Sequence, residues 1–131
     1  MSARGAIAPA LALAATAIAL WLSALPAPAA NGPSRLLVTG REYNLTLSRP
    51  AIARGGAVIQ LLNRGEDDHD LRLQRISRSG ARRPVARWSV TRPGRVSELS
   101  VRLRPGHYRL WCSLSGHRAR GMRATLKVSG G

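Results

Sequence analysis

Apolar and polar residues alternate with a period of two in short runs along most of the chain. Because successive side chains of a strand point to opposite faces, this period predicts strands with one buried face. Seven runs carry or approach the pattern: residues 43–48, 57–62, 71–74, 86–90, 99–103, 108–111 and 123–128. Gly, Pro, Asn and Ser separate the runs about every ten residues, and no stretch has the pattern of an amphipathic helix. The sequence therefore predicts an all-β fold, a sandwich or barrel of seven to eight strands.

Residues 1–30 have a different pattern and are predicted to lie outside this domain. A short positive start at Arg4 precedes an apolar run from Ala6 to Leu25, and small residues and prolines follow it. Together with the small-x-small site Ala27-Pro28-Ala29, this is typical of a secretory signal peptide. An uncleaved membrane anchor is the alternative, because an apolar run of about 20 residues just spans a bilayer. In either case we expect residues 31–131 to form one exported domain, periplasmic or extracellular.

The composition adds a large basic excess. The 131 residues include 21 Lys or Arg and 6 Asp or Glu, a net charge of +15, and Lys127 is the one basic residue that is not arginine. Nucleic acid is not expected as a partner, because a β-sandwich of this kind offers neither a basic helix nor stacking aromatics on a sheet face. An acidic redox protein or an anionic membrane surface fits better, since long-range charge mainly sets the rate of encounter.

The single cysteine, Cys112, needs an explanation in an exported protein, because oxidising compartments favour disulfides. An inert buried thiol and an intermolecular bridge are two explanations, and a metal ligand is the third. His117 and Met122 lie in the same segment of eleven residues, CSLSGHRARGM, in which Gly116 and Gly121 predict a tight loop that turns His117 back toward Cys112. A thiolate, an imidazole and a thioether form a soft donor set that suits copper, and two His, one Cys and a weak axial Met make a blue-copper site.

A second imidazole is therefore required, and strand parity selects it. His69 shares parity with Leu71, so its side chain is predicted to point into the core at the start of a strand. His107 shares the outward parity of Arg109 and lies roughly 16 Å from Cys112, at about 3.3 Å per residue. The predicted metal ligands are His69, Cys112, His117 and Met122, and His107 is excluded.

The segment LRPGHYRLWCSLSGHRARGMRATLKV (103–128) resembles the end of cupredoxins, the plastocyanin- and azurin-like blue copper proteins. The stretch AVIQLLNRGEDDHDLRL (57–73) is similar to the strand, the turn and the first ligand His of that family. The resemblance covers residues 36–129. It implies a Greek-key sandwich that binds copper near one end through His69, Cys112, His117 and Met122.

The resemblance implies that the protein carries single electrons between redox partners through one mononuclear copper ion. No substrate pocket or acid–base pair is suggested by the sequence, so we expect an electron carrier and not an enzyme. Two alternatives remain open: a copper-binding protein for copper delivery or sequestration, and a metal-free cupredoxin-fold interaction module.

Two positions depart from the family pattern. Many members follow the first ligand His with Asn, whereas this chain has Asp70. An additional carboxylate near the site is expected to favour Cu(II) and to lower the reduction potential. Arg118 and Arg120 flank His117, where many relatives have an apolar docking patch. We therefore expect a monomer whose redox partner presents an acidic docking patch near Arg118 and Arg120.

Overall fold

The structure, a computed structural model, describes residues 32–130. The predicted signal peptide or anchor at residues 1–30 lies outside the described residues. No helix in the described part is long and apolar enough to cross a membrane. The strands are β1 (Ser34–Arg41), β2 (Asn44–Leu47), β3 (Ala51–Ala53), β4 (Gly55–Asn63), β5 (Arg72–Ile76), β6 (Arg82–Arg87), β7 (Val96–Leu103), β8 (Gly106–Trp111) and β9 (Arg123–Ser129).

These nine strands exceed the seven to eight that the alternation predicted. β1 and β3 are the additions: Leu37 interrupts the alternation of β1, and β3 has only three residues. The run at residues 86–90 was placed too late in the chain, because β6 ends at Arg87. Trp88 after it is buried, whereas Val90, which shares its parity, is 53% exposed. Parity fails there because the chain has left the strand.

Two sheets pack face to face and form the sandwich. The four-stranded sheet has the order β2-β1-β4-β7, and the five-stranded sheet has the order β3-β9-β8-β5-β6. The β1–β4 and β3–β9 pairs are parallel, and the other pairs are antiparallel. Alternate residues of the strands fill the space between the sheets, as the period of two predicted. The all-β Greek-key sandwich is confirmed.

The register of the five-stranded sheet determines where the scarce residues meet. Trp111 of β8 lies opposite Arg72 of β5 on one side and Arg123 of β9 on the other. The ends of these strands therefore lie together at one end of the sandwich. Cys112 directly follows β8, Met122 directly precedes β9, and His69 lies shortly before β5. The backbone of Cys112 confirms this closeness, since its N–H donates to the carbonyl of Met122 at 3.1 Å.

Candidate metal centre

Three side chains that the sequence singled out converge at this end of the sandwich. One ligand atom from each of His69, Cys112 and His117 lies within 4.8 Å of the other two. Cys112 Sγ is 3.6 Å from His117 Nδ1, and the centroids of the two imidazole rings are 5.3 Å apart. His69 and Cys112 are fully buried, and His117 is 9% exposed. The three residues are positioned to bind one metal ion.

The environment of His69 shows that these residues fit a metal. Its ring is buried, yet neither ring nitrogen has a hydrogen-bond partner. Glu42 Oε1 lies 3.0 Å from Nε2, although this contact lacks hydrogen-bond geometry. A buried polar atom without a partner costs free energy, on the order of 1–3 kcal/mol. With Nε2 facing the carboxylate, Nδ1 is the nitrogen left to act as a ligand.

Met122, the fourth predicted ligand, lies beside His69 and is fully buried. Gly40 of β1 brings the two side chains together. A Cβ at Gly40 would lie 3.2 Å from His69 Cδ2 and 3.2 Å from Met122 Cε. Such contacts are tighter than most that real Cβ atoms make, so a larger residue at position 40 would displace both side chains slightly. The structure thus puts the thioether next to the imidazole that Cys112 and His117 also approach.

The loop from Cys112 to Met122 is closed by its own backbone. The N–H of His117 donates to Leu114 O at 3.1 Å, and the N–H of Met122 donates to His117 O at 3.0 Å. Gly116 and Gly121 have φ values of 78° and 116°, which residues with a Cβ rarely adopt. The tight loop predicted from these two glycines is therefore observed, and it turns His117 back toward Cys112.

The His69 loop, by contrast, is held by residues far away in the sequence. Asn63 Nδ2 donates to the carbonyls of Asp67 and Thr91 at 2.7 and 2.8 Å. The backbones of His69 and Thr91 pair as an isolated antiparallel bridge. Thr91 and Asn63 were not identified from the sequence, because no local motif connects residue 91 with the loop.

Glu42 was also missed, although it is the nearest charged group to His69. Its Oε1 accepts hydrogen bonds from the N–H groups of Glu66 and Asp67, both at 2.9 Å. These backbone hydrogen bonds, that from Asp67 first, lower the pKa of the Glu42 carboxyl. A Cβ at Gly65 would overlap the carboxylate, so the turn needs glycine to admit it. The carboxylate is therefore ionised and fixed behind the His69 ring.

Asp70 connects the two ligand loops. Its Oδ1 accepts the N–H of Ser113 at 2.6 Å, and its Oδ2 accepts the Ser113 hydroxyl at 2.5 Å. Arg72 Nη2 lies 2.9 Å from Oδ2 and compensates part of the charge. Asp70 thus holds the His69 loop and the Cys112 loop together, and its charge is paired with that of Arg72.

Burial favours the neutral form of both Cys112 and His69, so it shifts the pKa values of the two side chains in opposite directions. It raises the pKa of the Cys112 thiol, because the thiolate loses its hydration. It lowers the pKa of His69, despite the attraction of Glu42, because the imidazolium is disfavoured. The metal-free site therefore holds both groups neutral, and metal binding releases the thiol proton.

His107 lies away from the cluster, as strand parity predicted. It is exposed near the start of β8, where it pairs with Ile76 and Lys127. Arg118 and Arg120 lie beside His117 and rest on aromatic rings. The guanidinium of Arg118 is 5.0 Å from the Trp111 ring centroid, and that of Arg120 is 4.7 Å from Tyr43.

Comparison with known proteins supports the fold. No protein-family model matches the chain, and no curated protein matches it in sequence. Solved structures do match, with probability 1.00. Auracyanin from Roseiflexus castenholzii has a TM-score of 0.59 and 17% identity, over 75% of this chain and 99% of that one. Rusticyanin from Thiobacillus ferrooxidans has a TM-score of 0.55 and 13% identity, over 75% of this chain and 79% of that one.

The same fold also occurs within a larger enzyme. A blue copper oxidase from Nitrosomonas europaea matches with a TM-score of 0.56 and 15% identity, over 76% of this chain and 39% of that one. At these identities the likeness concerns the fold alone. Residues 32–130 have the cupredoxin fold.

Proposed function

We propose that the protein is an exported blue-copper protein that carries single electrons between redox partners. One copper ion would be held by His69, Cys112 and His117, with Met122 as the weak axial ligand. The observation that carries the proposal is the convergence of two imidazoles and one thiol within 4.8 Å in the core. Two His, one Cys and an axial Met are the donor set of electron-transfer copper sites.

The residues around the ligands favour a carrier because they leave the ligands little freedom to move. Copper, when bound, supplies a one-electron change between Cu(I) and Cu(II). His69 is fixed by the backbone bridge to Thr91 and by the Glu42 carboxylate. Cys112 is fixed by its backbone bond to Met122. A site that rearranges little between two oxidation states exchanges electrons quickly.

Burial of the site favours electron transfer over catalysis or ready metal exchange. His69, Cys112 and Met122 have no exposed surface, and His117 has 9%. A substrate therefore has no direct approach to the ligand atoms, and an electron leaves most simply through the His117 ring. Tyr43 packs edge-on against that ring at 5.1 Å and carries Arg120 on its own face. We propose that a redox partner docks here with an acidic patch near Arg118 and Arg120.

The visible spectrum of residues 31–131 with Cu(II) tests the proposal. We expect an intense thiolate-to-copper absorption band at one copper per chain, and we expect Cys112→Ser to abolish it, because serine supplies a hard, weakly acidic donor. A pale spectrum with ready exchange of copper to a chelator would support copper delivery instead. An absence of binding would leave a metal-free interaction module.

A further inference from the structure

Three arginines and a tryptophan form one row across the outer face of the five-stranded sheet. Arg87 of β6 lies opposite Arg72 of β5, Arg72 lies opposite Trp111 of β8, and Trp111 lies opposite Arg123 of β9. Neighbouring strands are about 4.8 Å apart, so the row spans roughly 14 Å. We call these four residues the arginine row.

The rest of this outer face is also basic. Arg109 and Lys127 continue the β8 and β9 columns, and Arg82 lies at the start of β6. No acidic residue occupies an outward position on the five strands. The outer face of the four-stranded sheet differs: it carries Arg35, Arg41 and Arg102 together with Glu98 among neutral residues. A general preference for arginine in the chain does not explain this asymmetry.

One pair in the arginine row, Arg72 opposite Arg87, is unfavourable to the isolated fold. Like charges directly opposite each other on neighbouring strands destabilise a sheet. Asp70 compensates Arg72 at 2.9 Å, but Arg87 and Arg123 have no acidic partner within 4.0 Å among residues 32–130. An anionic partner would remove this repulsion, and a stability argument gives no other reason for the arrangement.

Trp111 divides the row into two shallow depressions. One is lined by Arg72, Arg87 and Trp111, and the other by Trp111, Arg118 and Arg123. Each depression therefore presents two guanidinium groups beside an indole. Guanidinium forks match carboxylates with two parallel hydrogen bonds, and Trp and Arg are the residue types enriched at the centres of protein interfaces.

We propose that the arginine row is a docking surface for a protein that presents a flat array of carboxylates. This surface meets the His117 exit at Arg118 and extends away from it across the sheet to Arg87, and docking on it requires no copper. A protein is favoured over an anionic bilayer because Trp111 is half-buried and Arg118 covers its ring, so the indole is not free to insert.

The test measures binding of the copper-loaded protein to poly-L-glutamate by calorimetry at low and high salt. One variant combines Arg87→Gln and Arg123→Gln of the row with Arg109→Gln of the same outer face. Arg72 is kept, because it is paired with Asp70. Arg35→Gln, Arg41→Gln and Arg102→Gln form the control, which has the same charge change on the other sheet. We expect the first variant to bind about tenfold more weakly, because three exposed ion pairs are lost, and the control to change by about twofold. Equal losses in both variants would overturn the proposal, because net charge alone would then explain the binding.

A second variant separates the two classes of anionic partner. With Lys at positions 87, 109 and 123 (Arg87→Lys, Arg109→Lys, Arg123→Lys), the charge is kept and the forks are lost. We expect weaker binding to poly-L-glutamate than that of the wild type. Unchanged binding, together with tight binding to phosphatidylglycerol vesicles, would overturn the protein partner in favour of a membrane surface. Repeating the titration with Cys112→Ser separates this proposal from the copper function, since docking should persist without the thiol ligand.

Discussion

The two loops that supply the ligands are built in different ways. Residues 112–122 supply a thiol, an imidazole and a thioether from one short segment, and hydrogen bonds within that segment close the loop. Residues 64–71 supply only His69, and the side chains of Glu42 and Asn63 and the backbone of Thr91 hold that loop from outside. Local turns therefore fix the three ligands of residues 112–122, whereas tertiary packing fixes His69.

The loops also differ in charge. Five of the six acidic residues of the chain are Glu42 and the residues from Glu66 to Asp70 other than His69. Arg118 and Arg120 lie on the other loop and rest on aromatic rings. Of these acidic residues only Asp70 is buried, and the exposed Asp67 has its Oδ2 3.9 Å from His117 Nε2. We infer that the acidic residues around His69 adjust the copper ion and that Arg118 and Arg120 of the 112–122 loop meet the partner.

The largest expected effect comes from removing the ligand that packing alone holds in place. His69→Ala should eliminate the intense absorption band, because the site loses one of its two imidazoles. His107→Ala is the matched control, since His107 is exposed at the other end of β8, and should leave the band unchanged. Visible spectra of both variants with Cu(II) provide the comparison. The reverse result would refute both the parity argument and the ligand set.

Arg118 and Arg120 of the 112–122 loop should control the rate at which the protein meets charged reaction partners. Arg118→Glu with Arg120→Glu should slow oxidation of the reduced protein by the anion hexacyanoferrate(III) by about an order of magnitude at low salt. The difference should largely vanish near 1 M salt, where the screening length is about 3 Å. Arg35→Glu with Arg102→Glu is the control on the opposite sheet. If the Arg118→Glu, Arg120→Glu variant had the same stopped-flow rate as the wild type at low salt, the docking role of these two arginines would be refuted.

Glu42 should affect the copper ion without being a ligand. Glu42→Gln keeps an oxygen that accepts the N–H groups of Glu66 and Asp67, but it removes the negative charge behind His69. The potential should rise, by up to about 60 mV, because a tenfold loss of preference for Cu(II) corresponds to about 59 mV. Glu98→Gln removes the same charge on the four-stranded sheet and should leave the potential unchanged. Voltammetry of the copper-loaded proteins measures these reduction potentials. Equal potentials in Glu42→Gln and the wild type would contradict the claim that the Glu42 charge favours Cu(II).

The smallest expected effect is on the stability of the metal-free protein at acidic pH. Burial lowers the pKa of His69 in the folded state, so the unfolded chain binds its proton more readily. This contribution is present above the ordinary histidine pKa of about 6.5 and is lost as the pH falls below it. The free energy of unfolding should therefore decrease between pH 7 and 5. A His69→Gln variant with the same slope over that range would assign the decrease to other groups.

The same contrast between the loops explains how far the sequence predicted the site. Cys112, His117 and Met122 were identified because scarce donors lie close together, and Gly116 and Gly121 indicated the tight loop. His69 was placed by strand parity, which holds because Leu71 and Leu73 continue the pattern into β5. Glu42 is 27 positions away from His69 and belongs to the turn between β1 and β2, so no local spacing marks it. Parity likewise failed at Val90, because the strand had already ended.

X-ray absorption at the copper edge of the loaded protein tests the central claim most directly, because it reports the donor atoms themselves. The account predicts one short bond to sulfur from Cys112 and two bonds to imidazole nitrogens from His69 and His117. Cys112→Ser should remove this short sulfur bond and leave the two nitrogens and the long, weak bond to the Met122 sulfur. A wild-type spectrum with nitrogen and oxygen donors alone would contradict the account.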